Sequence, residues 1–548
     1  MVLSTRAKVA LAAVLLALVW FVGLGHRDLF QTDEGRYAEI PREMLATGDW
    51  VTPRLDTLKY FEKPPLQYWA TAVAYSAFGE SNATSRLWTA LLGFLGILMT
   101  AFAARRLYDA RTAWCAALVL VGSAYYAVMG HFNTLDMGVS FFMCGSLFGF
   151  LLSMQSESLK ARRLFMYAAW ACAALATLSK GLEAVVLPGA VFILYVLITR
   201  DWVRFKQLHI IGGLLIYIVV TAPWFLLVSV RNPDFAQFFF IHEHFERFLT
   251  TVHHRVAPWW FFIPILLFGL SIFLPQASRA VAALFRRETY AREAGRFNTA
   301  LFLWLWCVFI FVFFSISDSK LGSYILPIFP ALAVLVGYEL AKLRRRDAML
   351  SAFLCAVLAV VALWQAPELQ KHTDKLPLEL YQAFLPGFTV GVGMVLLASI
   401  VGFVLVYCNR VAIGIGVLAV GLFLGVQDMG LAAQSLSPAY SQRSLADQMA
   451  PFVTPDTHLY SLQDYPQSLP FYLGRTFTVV AYKGELEFGI GREPAKWIPD
   501  LDAFASQWRS EPKALAVMPP ETYDDLQKQG LPMTIIGRDP QHVAVRKP

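Results

Sequence analysis

Thirteen apolar segments of bilayer-spanning length constrain this chain more than anything else in it. They cover about residues 7–25, 83–104, 112–130, 136–153, 164–181, 183–199, 208–230, 259–275, 297–316, 321–341, 347–366, 384–407 and 411–431. A helix needs about 20 apolar residues to cross the hydrocarbon of a bilayer, where every backbone polar group must be satisfied internally. Only 16% of the 548 residues are charged, against about 25% in soluble domains. The expected architecture is therefore a polytopic α-helical membrane protein of about 13 transmembrane helices. The first segment has a basic start, Arg6 and Lys8, and no small-residue cleavage site before the charged stretch after it, so it reads as an uncleaved signal anchor.

Orientation follows from the basic residues. With the N-terminus inside, the inside loops hold Arg105, Arg106 and Arg111; Lys160, Arg162 and Arg163; Arg200, Arg204 and Lys206; Arg279, Arg286, Arg287, Arg292 and Arg296; Lys342 with Arg344, Arg345 and Arg346; and Arg410. Every inside loop is basic, so most of the net charge of +7 is a topology signal. A nucleic-acid face would instead gather its basic residues on one soluble domain, and no nucleic-acid partner is expected. The six cysteines all lie in apolar segments without metal-ligand or CxxC spacing, and read as small buried hydrophobes.

From about Ser435 the composition changes. SLADQMAPFV, LDAFASQW and PETYDDLQKQG read as helices; HLYSL, RTFTVVAY, KALAVMP, MTIIG and HVAVRK read as strands. Alternating elements predict a small α/β domain. An odd number of spans puts it outside. The expected division is a transmembrane domain over 1–434, with outside loops 26–82 and 231–258, and a C-terminal α/β domain over 435–548.

The chemistry-bearing residues concentrate on the outside. Asp33 and Glu34 open a helix for which Thr32 is the expected N-cap, with Arg36 and Tyr37 beside them. The same loop closes on Tyr60-Phe61-Glu62-Lys63-Pro64-Pro65. Asp136 stands at the mouth of the fourth span, Lys180 at the outer end of the fifth, and Glu183 just after it. Ionisable groups at such depths are costly and point to function. In loop 231–258, His242 and Glu246 share a helical face, whereas HEH lacks the HExxH spacing of zincins; Arg247 follows. Lys320 and Tyr324 lie at another outer edge. Each residue alone has a plain reading as an interfacial anchor or a capping group. Independent anchoring, however, does not require acids and bases from separate regions of the chain to gather on one side, whereas a shared outward-facing cavity does.

The motifs DEGRYAEIPREML, YFEKPP, NTLD, SKG, FFFIHEHFERF with PWWFF, and SKLGSYILP occur in this order over residues 8 to 345. This set resembles the bacterial aminoarabinose transferases, lipid A glycosyltransferases of the GT-C fold related to the protein O-mannosyltransferases. The resemblance implies a GT-C membrane fold acting as a monomer at the periplasmic face of the bacterial inner membrane, with the C-terminal domain in the periplasm. It implies transfer of 4-amino-4-deoxy-L-arabinose from a polyprenyl-phosphate donor, undecaprenyl phosphate, to a lipid A phosphate, by one inverting displacement. Asp33, Glu34 and Asp136 are then the expected catalytic carboxylates. Arg36, Tyr37, Tyr60, Lys63, Lys180, Arg247, Lys320 and Tyr324 are the expected substrate contacts. Glu62 and His242, with His244 as the alternative, are expected to hold a divalent metal ion. Other polyprenyl-linked sugars, and a transporter using the same charges for binding, are the competing readings; neither an inverted repeat nor paired broken helices favours the transporter.

Overall fold

The computed structural model describes residues 5–246, 257–286, 297–368 and 377–548. Each of the thirteen apolar segments falls on helix. Among the described residues eight helices are long and apolar enough to cross a membrane, or nine if the bent pair Phe262–Gly269 and Ser271–Leu284 is one span. The remaining segments are shorter or interrupted: Ala10–Phe21, Ala110–Val121 and Glu183–Thr199 are apolar but brief, and Leu159–Lys180 begins with Lys160, Arg162 and Arg163.

The chain divides into two compact units. One comprises Met1–Val22, Thr89–Pro367 and Gly387–Gly430; the other comprises Gly23–Trp88, Glu368–Pro386 and Leu431–Pro548. The first outside loop thus groups with the C-terminal region, whereas the sequence placed it with the spans.

Within the helical unit, Asp136–Gln155 packs along Leu159–Lys180. Small residues set how closely they approach: a Cβ at Gly149 would meet the Phe165 carbonyl oxygen at 3.0 Å, and one at Gly145 would meet Cys172 Sγ at 2.9 Å. Without a hydrophobic drive between helices in lipid, such close packing supplies the association.

In the second unit, Asp33–Thr47 and Leu66–Phe78 are helices, with a two-stranded hairpin, β1 (Arg54–Leu55) and β2 (Leu58–Lys59), between them. Thr32 precedes the first helix but its hydroxyl makes no cap; it has helical angles, φ −93° and ψ −35°, where a side-chain cap needs extended backbone. The C-terminal strands are β3 (His458–Leu462), β4 (Thr478–Val480), β5 (Trp497–Ile498), β6 (Ala514–Met518), β7 (Thr534–Arg538) and β8 (Val543–Arg546). They form one sheet in the order β5-β4-β3-β6-β8-β7, parallel from β5 to β6 and antiparallel through β8 and β7. Alternate residues bury opposite faces. Tyr460, Leu462, Ala516 and Val545 pack on Phe504 and Trp508, whereas Leu459, Leu515, Val517 and Ala544 pack on Leu445 and Met449. The sequence missed β5, too short to show a period, and the helices Leu469–Leu473 and Glu487–Arg492.

Candidate active site

Asp33 and Glu34 are neighbours in sequence with opposite fates. Successive helical residues point about 100° apart, so the first turn sends one carboxylate outward and the other inward. Asp33 keeps 39% of its side-chain surface exposed; Glu34 keeps none. Glu34 Oε1 accepts from Arg86 Nε at 2.7 Å, and Oε2 accepts from Arg86 Nη2 at 3.0 Å, from Arg27 Nη1 at 2.7 Å and from the Phe30 amide at 2.9 Å. Burial alone would raise this carboxyl, but Arg86 and Arg27 outweigh it and hold it at about 2. Arg86 spends its other donors on the carbonyls of Leu24, Arg27 and Asp28. Glu34, expected as a catalytic carboxylate, thus has its oxygens committed to a buried clamp that fixes how the chain enters this helix.

Arg36 gathers the remaining polar groups of this loop. Nη1 stands 3.7 Å from Asp33 Oδ1 and 3.5 Å from the Tyr60 hydroxyl, and Nη2 donates to Glu485 Oε1 at 3.2 Å. Glu485 also accepts from the Tyr482 hydroxyl at 3.3 Å. The Tyr37 and Tyr68 rings lie 6.2 Å apart, and Glu62 acts electrostatically on Arg36, Tyr37 and Tyr60. Burial pushes the Tyr37 and Tyr60 phenols well above their ordinary range, so both act as neutral hydroxyls. Lys63 is half-buried, two residues beyond the buried Phe61 and immediately before Pro64-Pro65. Glu485 was not legible in the sequence: GELEFG has the look of a solvated turn, and its partner lies 449 residues away.

The helical unit holds the second cluster. Asp136 is the first residue of its helix and Lys180 the last of the next, so antiparallel packing brings them together, each at the helix end whose dipole favours its charge. Lys180 Nζ lies 2.6 Å from Asp136 Oδ1, 3.5 Å from Glu183 Oε1 and 4.6 Å from the centre of the Tyr324 ring. Lys180, expected as a phosphate grip, is thus engaged by two carboxylates. Tyr324 packs on Phe314. Lys320 is buried and donates to the Ser317 carbonyl at 2.5 Å, a local bond that closes its own turn.

Arg247 lies outside the described residues, as do the side chains of His242 and His244, whose backbone belongs to the π-helix Gln237–Glu246. Among the described residues no group of three or more His, Cys, Asp and Glu could hold a metal ion. Glu62 is the one described member of the expected set, so no chemical step is routed through a metal here.

Known proteins resemble the chain at three levels. The family model described as "Aminoarabinose transferase C-terminal domain" matches residues 445–547, and that described as "Dolichyl-phosphate-mannose-protein mannosyltransferase" matches residues 62–226. The undecaprenyl phosphate-α-4-amino-4-deoxy-L-arabinose arabinosyl transferase 1 of Proteus mirabilis is 34% identical over 63% of this chain and 61% of its own length. The chain thus spans about three-fifths of the length of that curated relative. The transferase of Pseudomonas paraeruginosa is 32% identical over 71% of this chain and 70% of its own. The crystal structure of ArnT from Cupriavidus metallidurans bound to undecaprenyl phosphate superposes with a TM-score of 0.91 at 39% identity, covering 99% of this chain and 98% of that one. The expected fold is confirmed, and the chain belongs to the undecaprenyl phosphate-α-4-amino-4-deoxy-L-arabinose arabinosyl transferase family of the GT-C glycosyltransferases.

Proposed function

We propose that this protein is a glycosyltransferase that moves 4-amino-4-deoxy-L-arabinose from undecaprenyl phosphate to a phosphate of lipid A. It acts at the periplasmic face of the inner membrane, with loop 26–82 and the C-terminal domain on that side. The observation that carries this reading is the end-to-end likeness to a structure described as bound to undecaprenyl phosphate, together with site residues of matching chemistry.

In this reaction a lipid A phosphate oxygen attacks the anomeric carbon while the bond from that carbon to the polyprenyl-phosphate oxygen breaks, so the leaving lipid phosphate takes the electron pair. The barrier falls when that developing charge is held by preorganised donors. Arg36 and Lys63 supply cationic donors, and the neutral Tyr37 and Tyr60 hydroxyls supply uncharged ones. An acceptor phosphate is already ionised near neutral pH, so no strong base is required; Asp33, partly exposed and 3.7 Å from Arg36, instead stabilises the positive charge that develops on the sugar. The transferred sugar carries an amino group that is cationic at neutral pH. Capping a lipid A phosphate with this cation weakens its attraction for cationic peptides such as polymyxin.

Mass spectrometry of lipid A from cells with and without the gene tests the reading. The aminoarabinose adduct is expected only with the gene. An unchanged adduct overturns the assignment, and an adduct of another mass assigns another polyprenyl-linked sugar.

A further inference from the structure

The hairpin β1–β2 ends at Lys59, one residue before Tyr60. Its turn residues Asp56 and Thr57 have φ of 55° and 67°, left-handed backbone that non-glycine residues seldom adopt. Such a turn persists only where its surroundings over-determine it, and three groups do so. Glu43, on the helix Asp33–Thr47, accepts from both turn amides, Asp56 N at 2.5 Å and Thr57 N at 2.8 Å. The Asp56 side chain, 1% exposed, points the other way and accepts from the Phe477 amide at 2.6 Å, at the entry to β4. Glu493 accepts from the Lys59 amide at 3.0 Å and from Arg54 Nη1 at 3.1 Å. Backbone contact is equally close beside them, since a Cβ on Gly489 would stand 2.7 Å from the Lys59 carbonyl oxygen.

We propose that Asp56 and Glu493 are positioning residues: through them the C-terminal α/β domain grips the hairpin 54–59, and so fixes where Tyr60, Glu62 and Lys63 stand for the phosphate of the donor lipid. This deepens the transfer reading above and rests on it for the identity of that phosphate. None of the gripping groups belongs to the proposed reacting constellation. Burial beside Glu43 and Glu39 also favours a neutral Asp56 carboxyl. Its Oδ1 then serves as an acceptor that asparagine reproduces at the same size.

The test uses full-length protein in nanodiscs: wild type, Asp56→Ala, Asp56→Asn and Glu493→Ala. Hydrogen exchange is read over the peptide 58–66, and undecaprenyl phosphate alone is titrated. Asp56→Ala and Glu493→Ala are expected to speed exchange in that peptide and to weaken undecaprenyl phosphate binding by about tenfold or more, as misplacement of a binding group by about 1 Å does. Asp56→Asn is expected to restore both to within about threefold of wild type, on the strength of a retained hydrogen bond. Unchanged exchange in both alanine variants overturns the proposal. So does faster exchange with unaltered lipid binding, or an Asp56→Asn variant as impaired as Asp56→Ala. If Asp56→Ala does not fold, Glu493→Ala decides. If wild type binds no undecaprenyl phosphate, the donor assignment fails, and exchange alone decides whether the grip exists.

Discussion

Replacing Glu34 by Gln separates structure from chemistry at the opening of the first loop. The carboxylate is fully buried and meets two guanidinium groups and a backbone amide. Holding its carboxyl at about 2 rather than 4.5 corresponds to about 3 kcal/mol of stability at neutral pH. Removal of one partner from a buried ion pair costs about 3–5 kcal/mol in general. For a unit of this size each kcal/mol lowers the melting midpoint by about 2–4 °C, so Glu34→Gln should melt about 6–12 °C below wild type. The sign in acid follows from the depressed value: the stabilisation is complete above pH 4.5 and is lost as pH falls towards about 2. The gap between wild type and variant should stay flat from pH 7 to 5 and close below that. Thermal melts in detergent across this range, alongside transfer assays, form the measurement. Asp33→Asn should behave in the opposite way, losing turnover with at most about 1 kcal/mol of stability, because its ion pair is partly exposed. A Glu34→Gln protein that melts like wild type yet fails to transfer sugar would refute the structural assignment and return Glu34 to the reaction.

Three further outcomes are expected. Asp136→Asn and Lys180→Met should each destabilise the helical unit by about 3–5 kcal/mol, and a double-mutant cycle should show the pair losing about 1–3 kcal/mol less than the sum. In the C-terminal domain, His542 is buried between Asp464 at 2.8 Å and Asp539 at 3.1 Å. Burial would lower its imidazole, but the two carboxylates outweigh this and raise it to about 9. The charge-dependent stabilisation is therefore full below pH 6.5 and disappears as pH rises through about 9; His542→Gln should cost about 2–4 kcal/mol more at pH 6 than at pH 10, as denaturant titrations would show. Gly35→Ala would place a Cβ 2.6 Å from the Ser468 amide nitrogen and 2.8 Å from the Gln467 carbonyl oxygen, and should lower stability by about 1–3 kcal/mol in the same assay.

The span pattern was legible because lipid leaves a long apolar run few alternatives to helix. The α/β domain was legible wherever a strand was long enough to alternate, as HLYSL and KALAVMP are. Adjacent acids were another matter. Asp33-Glu34 reads as a pair on paper, yet the helical turn buries one carboxylate and exposes the other. Arg86, which decides the state of Glu34, sits at the head of an apolar span with no motif around it. Glu485 and Glu493 lie more than 430 residues from Arg36 and Arg54; contacts of that separation leave no periodic trace. Lys180 was legible as a charge at the outer end of a span, but its engagement by Asp136 and Glu183 required the antiparallel helix pair.

The unit formed by Gly23–Trp88 and Leu431–Pro548 also sets an order of events during synthesis. More than 300 residues separate its two main pieces. At about 5–20 residues per second, the first piece waits roughly 20–70 s for the second. Its buried carboxylates do not wait with it: Glu34 pairs with Arg27 and Arg86, Glu39 pairs with Arg42, and Glu43 accepts hydrogen bonds from the amides of Asp56 and Thr57, all within Gly23–Trp88. Arg36, Arg54 and Asp56 meet Glu485, Glu493 and Phe477 only when the end of the chain arrives. A ribosome that stops before the α/β domain would thus release a membrane bundle whose first loop keeps its internal ion pairs and lacks those three attachments.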